Sequence, residues 1–499
     1  MRSDLVKTGG FFYKNLLSLF ILPAILLILF SADCHAFAFT GDDGMLRLST
    51  DNPYMPVLAL FGTILAIATF YFPRFGLGVM LLFILMATDM PIGQDASGVG
   101  RAVTIRAEDI ILILVSSGWL LNRAKTKSLG IIKYLPIYRP ILIMALIIIV
   151  ATIVGYFQGT VSASKGFFFS MKRLEYFWIF FMAFNLMETD KEAKKALWIL
   201  LGTSVVIALV GLTRFFFFPV TMLDSGGVTG MAGFGRANTM GDFLLLMLSV
   251  NICLLIFVDQ KRQYFLYLGS LIIFFFSFLM TKSRGAYVSF PPVLVVLAGV
   301  TMSRKLIVLI ISSVFILVVY IFIVFFSSGD VSKLISKHDE DISGQFKEIA
   351  DVAKDGLDSD PSMHSRMNSW RVSMDQIIQY PLLGQGCGAK KLGYSDCQHV
   401  RELLETGMLG YTAFMYMNIS IFLFLLKVYR RTGKTILKAL SVGFMGGIVG
   451  MMFHGVTMSN YYTIFNMEVF WFLLAIVCLF WYNEQKQNAD FVKEPKAHG

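Results

Sequence analysis

A set of cations stands out by position: Lys172, Arg173, Arg214, Arg236, Lys282, Arg284 and Arg366. Arg173 and Arg214 lie inside apolar runs, and Lys282 and Arg284 follow the uncharged stretch 271–279 in "MTKSRGAY". An ionisable side chain at such a depth is expensive and usually faces a bundle interior or a wet cavity. Several arginines converging there would hold a polyanion, because the guanidinium fork matches phosphate oxygens two at a time. Taken singly, each has a plainer explanation, in which the long side chain snorkels to the interface. A second kind of chemistry is offered by His399 in "DCQHVRELLETGMLG", with Glu402 and Glu405 close behind it. A histidine at a membrane surface can accept a proton near neutral pH, and the bland alternative is a surface histidine. His454 in "GGIVGMMFHGVTMSNYY" reads more readily as a packed helix residue, and His338 and His364 lack comparable context.

These residues need elements to position them, and composition says which. The 499 residues are 56% hydrophobic and only 15% charged, with mean hydropathy +0.68. Soluble domains carry about 25% charged residues, so the chain is an integral membrane protein of the all-α class. The net charge of +10 suits basic cytoplasmic loops rather than a nucleic-acid partner. Runs near the 20 residues that a span requires occur at 16–32, 54–72, 75–90, 108–122, 137–157, 167–187, 196–218, 240–258, 263–281, 285–301, 305–326, 404–426, 436–457 and 464–482. The expected architecture is a bundle of 13 or 14 spans with one large extramembrane loop.

Basic residues cluster at 123–139, 191–195, 261–262, 304–305 and 427–438. Fourteen spans place all of these on one side with both termini, which the positive-inside tendency makes cytoplasmic. The polar segment 327–402, with Lys282 and Arg284, then lies outside. The expected organisation is 1–38 as a first span or signal peptide, 39–326 as the bundle, 327–402 as the outer loop, 403–482 as the last spans and 483–499 as a tail. Within the loop, 343–356 has helical periodicity. In "SRMNSWRVSMDQIIQYP" one helical face carries Met367, Trp370, Met374, Ile377 and Ile378, and Pro381 ends the helix. "LLGQGCGAK" is a glycine-rich turn. A structured loop of this size usually serves as a lid or substrate cradle.

Cys387 and Cys397 stand ten positions apart in the outer segment. In an oxidising compartment they are expected as a disulfide, contributing about 2–3 kcal/mol on the chain-entropy model. Cys253 and Cys478 sit in apolar runs as packing residues, and no cysteine spacing suggests a metal. The acidic stretches at Asp42 and at 358–360 fall in turn contexts. No metal or cofactor is expected, since clustered arginines can neutralise a diphosphate leaving group.

Three segments together resemble the O-antigen ligase and O-antigen polymerase superfamily of bacterial polytopic glycosyltransferases. "TKSRGAY" is similar to its Ser-Arg-Gly at the outer end of a helix. "RMNSWRVSMDQIIQYPLLGQGCG" is similar to its Arg, Trp, then Pro-Leu-x-Gly-x-Gly loop. "HVRELLETGMLGY" is similar to its His, then Leu-x-x-Glu-x-Gly-x-x-Gly entry into the next helix. "GRANTMGDFLLL" matches an Asn-containing helix start more loosely. The likeness spans about Arg236 to Tyr411 and departs at Val400, where the family commonly has Asn. It implies a metal-independent ligase in the bacterial inner membrane. Its donor would be an undecaprenyl-diphosphate-linked glycan, and the transfer would run at the periplasmic face to a glycan, lipid A core or protein. Arg284 and Arg366 would bind the diphosphate with Arg236, Arg214 and Arg173, His399 would activate the acceptor, and Glu405 and Trp370 would support the site. A polymerase of the same superfamily is the alternative. A lipid-linked oligosaccharide flippase or other transporter is a further one, disfavoured by the lack of an internal repeat.

Overall fold

Backbone N–H and C=O groups cannot be left unpaired in hydrocarbon, so an apolar chain of this kind pairs them along helices. The computed structural model describes residues 55–86, 89–92, 103–125, 135–217, 237–302, 361–389 and 396–493. The expected spans 16–32 and 305–326, the helix at 343–356 and Arg236 lie outside the described residues. The architecture is an all-α, polytopic helical membrane protein, relieved by two four-residue strands, β1 (Asp89–Ile92) and β2 (Val103–Arg106).

The chain divides into two units. One holds α1 (Met55–Tyr71), most of α2 (Pro73–Met86) and α3 (Ala107–Lys125). Glu108 and Asp109 occupy the first turn of α3, where carboxylates oppose the positive end of the helix dipole. Asp109 accepts from the Arg106 N–H at 2.9 Å, and Glu108 pairs with the Arg106 guanidinium at 2.6 Å.

The other unit contains α4 (Tyr138–Phe157), α5 (Ala163–Leu186), α6 (Asp190–Phe217), α7 (Ala237–Phe257), α8 (Lys261–Met280), α9 (Arg284–Thr301), α10 (Pro361–Gln379), α11 (Gln398–Arg431), α12 (Thr435–His454) and α13 (Ile464–Lys493). A short 3₁₀ turn, Asn460–Tyr462, joins the last two. Among the described residues, eight helices are long and apolar enough to cross a membrane: α4, α6, α7, α8, α9, α11, α12 and α13. Their bounds follow the expected runs, except that α6 begins six residues earlier, α11 extends beyond its run at both ends and α13 continues eleven residues past 482. The expected span 167–187 becomes α5, whose first half carries Lys165, Lys172, Arg173 and Glu175. Packed between α4 and α13, α5 shields that polar half inside the bundle.

The buried axis is α7, packed on α8, α9 and α12. Its residues from Thr239 to Leu254 are buried without interruption, Asp242 and Asn251 included. The helices alternate, so polar side chains collect at two opposite ends. At one end Lys434 pairs with Asp190 at 2.6 Å, and Glu484 accepts from Thr432 and from the Gly433 N–H at 2.6 and 2.9 Å. The starts of α5, α7, α9, α11 and α13 lie at the other.

At that second end the glycine-rich turn is locked into a break in α11. Gly407 sits at φ 67°, ψ −168°, which interrupts the helix. A helix break orphans carbonyls before it and N–H groups after it. The turn after α10 supplies partners on both sides of the break. Gln385 and Gly386 donate to the Leu404 and Glu405 carbonyls at 2.8 and 2.9 Å, while Met408 and Leu409 donate to the Pro381 and Leu382 carbonyls at 2.8 and 3.1 Å. Thr160, after α4, clamps the turn from outside by donating to the Gln385 carbonyl at 2.7 Å. The expected boundary between outer loop and last spans, at 402/403, therefore falls inside α11, and the physical break comes at Gly407.

The periodicity of α10 is corrected in part. Trp370 and Ile377 pack on Cys397, Val400 and Leu404, whereas Met374 and Ile378 are exposed. Only the half of the apolar face that meets α11 is covered by described residues.

A Cβ on Gly407 would press on the Leu382 carbonyl and lie 2.6 Å from the Gly384 nitrogen, at a φ that L side chains rarely adopt. Gly407→Ala is expected to destabilise the fold by more than about 1 kcal/mol. Gly202→Ala in α6, with nothing within 4 Å of the new Cβ, should leave stability unchanged or slightly raised. Thermal unfolding of the two variants side by side checks this. Equal melting temperatures would mean that the lock contributes nothing.

Candidate functional site

The α8–α9 turn is short. Lys282 takes a left-handed conformation at φ 55°, and its ammonium lies over the Phe215 ring at 5.4 Å. Ser283 caps α9 by accepting from the Ala286 N–H at 3.4 Å, and its hydroxyl donates to Asn238 Oδ1 on α7 at 2.8 Å. Arg284 is therefore the first residue of α9 and half-buried. A helix start joins unpaired backbone N–H groups to the positive end of the dipole, which favours an anion.

A charged quartet occupies the start of α11. Arg173 of α5 donates through Nη2 to both oxygens of Glu402, at 2.7 and 2.9 Å, and Nη1 stands 3.7 Å from Glu405 Oε2. Arg401 donates from Nε to Glu405 Oε1 at 3.1 Å and lies flat on the Tyr462 ring, 3.6 Å from its centroid. Glu402 also accepts from Gln398, Thr406 and the Tyr462 hydroxyl at 3.3, 3.0 and 3.2 Å. Burial raises the Tyr462 pKa well above the usual phenol value, with Arg173 opposing, so the hydroxyl stays a donor. Two guanidinium groups and two carboxylates balance to zero, which makes burial of the group affordable.

His399 is the second residue of the same helix and is half-buried. Its Nε2 is 3.2 Å from the Met452 carbonyl and its Nδ1 is 3.4 Å from the Tyr411 hydroxyl. A carbonyl only accepts, so the proton sits on Nε2, and Nδ1 is left as the acceptor for Tyr411. Sequence reasoning left Tyr411 without a role. It reaches His399 because the break at Gly407 redirects α11.

A second histidine is fully buried between α7, α9 and α12. His454 Nδ1 is 2.9 Å from Asp242 Oδ1, and Asp242 also accepts from Asn460 and Asn466 at 2.9 and 2.7 Å. Sequence reasoning missed this cluster. Its available signals were Asp242, an acid set directly before the uncharged run "FLLLMLSV", and His454 at the end of an apolar helix.

The expected site residues thus separate. Arg284, His399, Glu405 and Trp370 all belong to elements that meet at one end of the bundle. Arg366 is half-buried on α10. Arg214 lies within α6, and its side chain is outside the described residues, as is Arg236 altogether. Arg173 is corrected: Glu402 and Glu405 consume its charge, so it braces α5 against α11 instead of offering a free cation to a diphosphate. The expected disulfide is also corrected, because Cys387 and Cys397 are both free and buried. Cys387 is held in the wall of α4 and α5, its N–H on Thr152 at 3.3 Å and its sulfur 3.6 Å from Arg173 Nη1. Cys397 packs with Trp370 and Val400 at the start of α11.

Residues 269–411 match the family model described as O-Antigen ligase. The superfamily resemblance drawn from the motifs holds for this stretch, which runs from α8 through α9 and α10 to Tyr411. No curated protein matches the chain.

Two tests follow from this geometry. Arg173→Ala leaves Glu402 buried without its cation, while Glu405 keeps Arg401, and is expected to cost about 3–5 kcal/mol of stability. Arg173→Met with Glu402→Leu should recover much of that. A variant Arg173→Ala with a normal melting temperature and impaired transfer would return Arg173 to the ligands. Burial pushes the Cys387 thiol up to about 11 and the Cys397 thiol upward too. At pH 8 both remain thiols in the folded protein and should resist alkylation. Denaturation without reductant should expose two alkylatable thiols, and failure to label them would indicate a bridge.

Proposed function

We propose that this protein is an O-antigen ligase-type glycosyltransferase. It moves a glycan from an undecaprenyl-diphosphate carrier to an acceptor at the periplasmic face of the bacterial inner membrane. The observation that carries the reading is the convergence, within the matched segment 269–411, of a helix start led by Arg284 and of His399 at the same end of the bundle. The donor's lipid lies among the helices and its diphosphate meets the α9 start, where Arg284 acts with Arg366 and, from α6 and the segment before α7, Arg214 and Arg236.

An acceptor hydroxyl attacks the anomeric carbon, and the bond from that carbon to the diphosphate oxygen breaks with its electron pair on the diphosphate. Charge develops on the leaving group, and guanidinium and backbone N–H donors fixed beforehand stabilise it more in the transition state than in the ground state. The hydroxyl proton passes to His399 Nδ1 through Tyr411, whose own hydroxyl proton is already directed there. The Met452 carbonyl holds the tautomer that keeps Nδ1 free to receive it. Arginines perform the neutralisation that a divalent ion performs in many diphosphate-dependent transferases, so EDTA should leave activity unchanged.

The test is in vitro transfer by purified protein with a lipid-diphosphate glycan and candidate acceptors. Arg284→Ala should lower turnover by about a hundredfold or more with expression and insertion normal. His399→Gln, which cannot take the proton, and Tyr411→Phe should each lower it by roughly a hundredfold or more while donor binding survives. Near-normal transfer by Arg284→Ala, or restoration of a chelated enzyme by Mg²⁺, would count against the reading.

A further inference from the structure

The Asp242 cluster has no part in the mechanism above, yet three of its buried polar atoms lack a hydrogen-bond partner: His454 Nε2 and the side-chain oxygens of Asn460 and Asn466. Asp242 accepts from three donors, so His454 carries a proton on Nδ1. The other ring nitrogen, Nε2, is buried and has no hydrogen-bond partner. Buried polar groups are nearly always paired, so each orphan calls for a partner; the two amide oxygens can only accept, whereas Nε2, once protonated, can donate to an anion. The ring is aimed at the α9 start. Its Cδ2, the carbon bonded to Nε2, lies where a Cβ on Gly285 would come within 3.1 Å, and the same Cβ would collide with Thr457. Only glycine lets the Arg284 turn close on this imidazole edge.

We propose that His454 is a second ligand of the donor's diphosphate, presenting Nε2–H beside Arg284. The proposal rests on the function given above. Nδ1 is committed to Asp242, so Nε2 donates only when both nitrogens are protonated. The imidazole takes one proton from water as the anion arrives, and the Asp242 carboxylate balances the new charge. Ionisable side chains on the elements packed around it are Asp242 on α7, Lys282 and Arg284 at the α8–α9 turn, His399 on α11, Tyr461 in the 3₁₀ turn and Glu468 on α13. Asp242 stays hydrogen-bonded to Nδ1 in either state of the ring.

The experiment uses full-length protein in lipid nanodiscs, labelled with [¹⁵N]histidine and titrated with farnesyl diphosphate. Saturation should move the His454 Nε2 resonance from the unprotonated to the protonated position while Nδ1 stays protonated. His454→Gln should weaken farnesyl diphosphate binding by about tenfold or more, the loss expected for one hydrogen bond to a charged group. Phe453–His454 is the one Phe–His pair in the sequence. Carbonyl-labelled phenylalanine therefore assigns the resonance in the wild type, so the spectrum decides even if the variant fails to fold. Binding that is lost in Arg284→Ala, with the His454 Nε2 unmoved or with His454→Gln within twofold of wild type, would overturn the inference and leave the proposed function standing. Absence of any binding to the wild type would overturn both.

Discussion

Four backbone hydrogen bonds across Gly407 hold one end of this helix bundle together. A helix that breaks inside a bundle exposes peptide groups that have no water to turn to, and each costs free energy unless something else pairs it. Here the turn 381–389 supplies two N–H donors and two carbonyls in the register required. The two sequence motifs, Pro-Leu-x-Gly-x-Gly and Leu-Leu-Glu-x-Gly, are therefore two halves of one joint. Gly384 and Gly407 both take positive φ, 65° and 67°, because the strands of backbone pass too close for side chains. The joint sets where the first segment of α11 points, and with it Glu402, Glu405 and His399.

Charge at this end is handled in two ways. In the quartet of Arg173, Arg401, Glu402 and Glu405 every charge has its opposite within the protein, and Tyr462 fills the space between with an aromatic face and a hydroxyl donor. Such a group fixes the geometry of α5 against α11 and has little left for a ligand. Arg284 differs in kind, because it stands at a helix start where the backbone adds to its positive field.

Much of this was legible in the sequence, for reasons that differ by element. The spans could be read because hydropathy over about 20 residues is a strong signal, and the alternation of basic connections ordered them. Arg284 stood out because it breaks an apolar run. What could not be read was partnership across the chain. Nothing local in "SMKRLEYF" says that Arg173 meets Glu402, which is 229 positions away. The spacing of Cys387 and Cys397 suggested a bridge, but the turn between them is pinned to α4 and α11, which places the two sulfurs in different surroundings. Tyr411 and Asp242 were passed over because each gains meaning only from a histidine on another segment or another turn.

The most direct test of the account is a structure of the protein in lipid nanodiscs with undecaprenyl diphosphate. The account predicts the diphosphate at the start of α9, in contact with Arg284 and on the same end of the bundle as His399, with the Gly407 joint and the charged quartet unchanged. A diphosphate seated at the opposite end, near Asp190, Lys434 and Glu484, or one held by Arg173 after separation from Glu402, would contradict it.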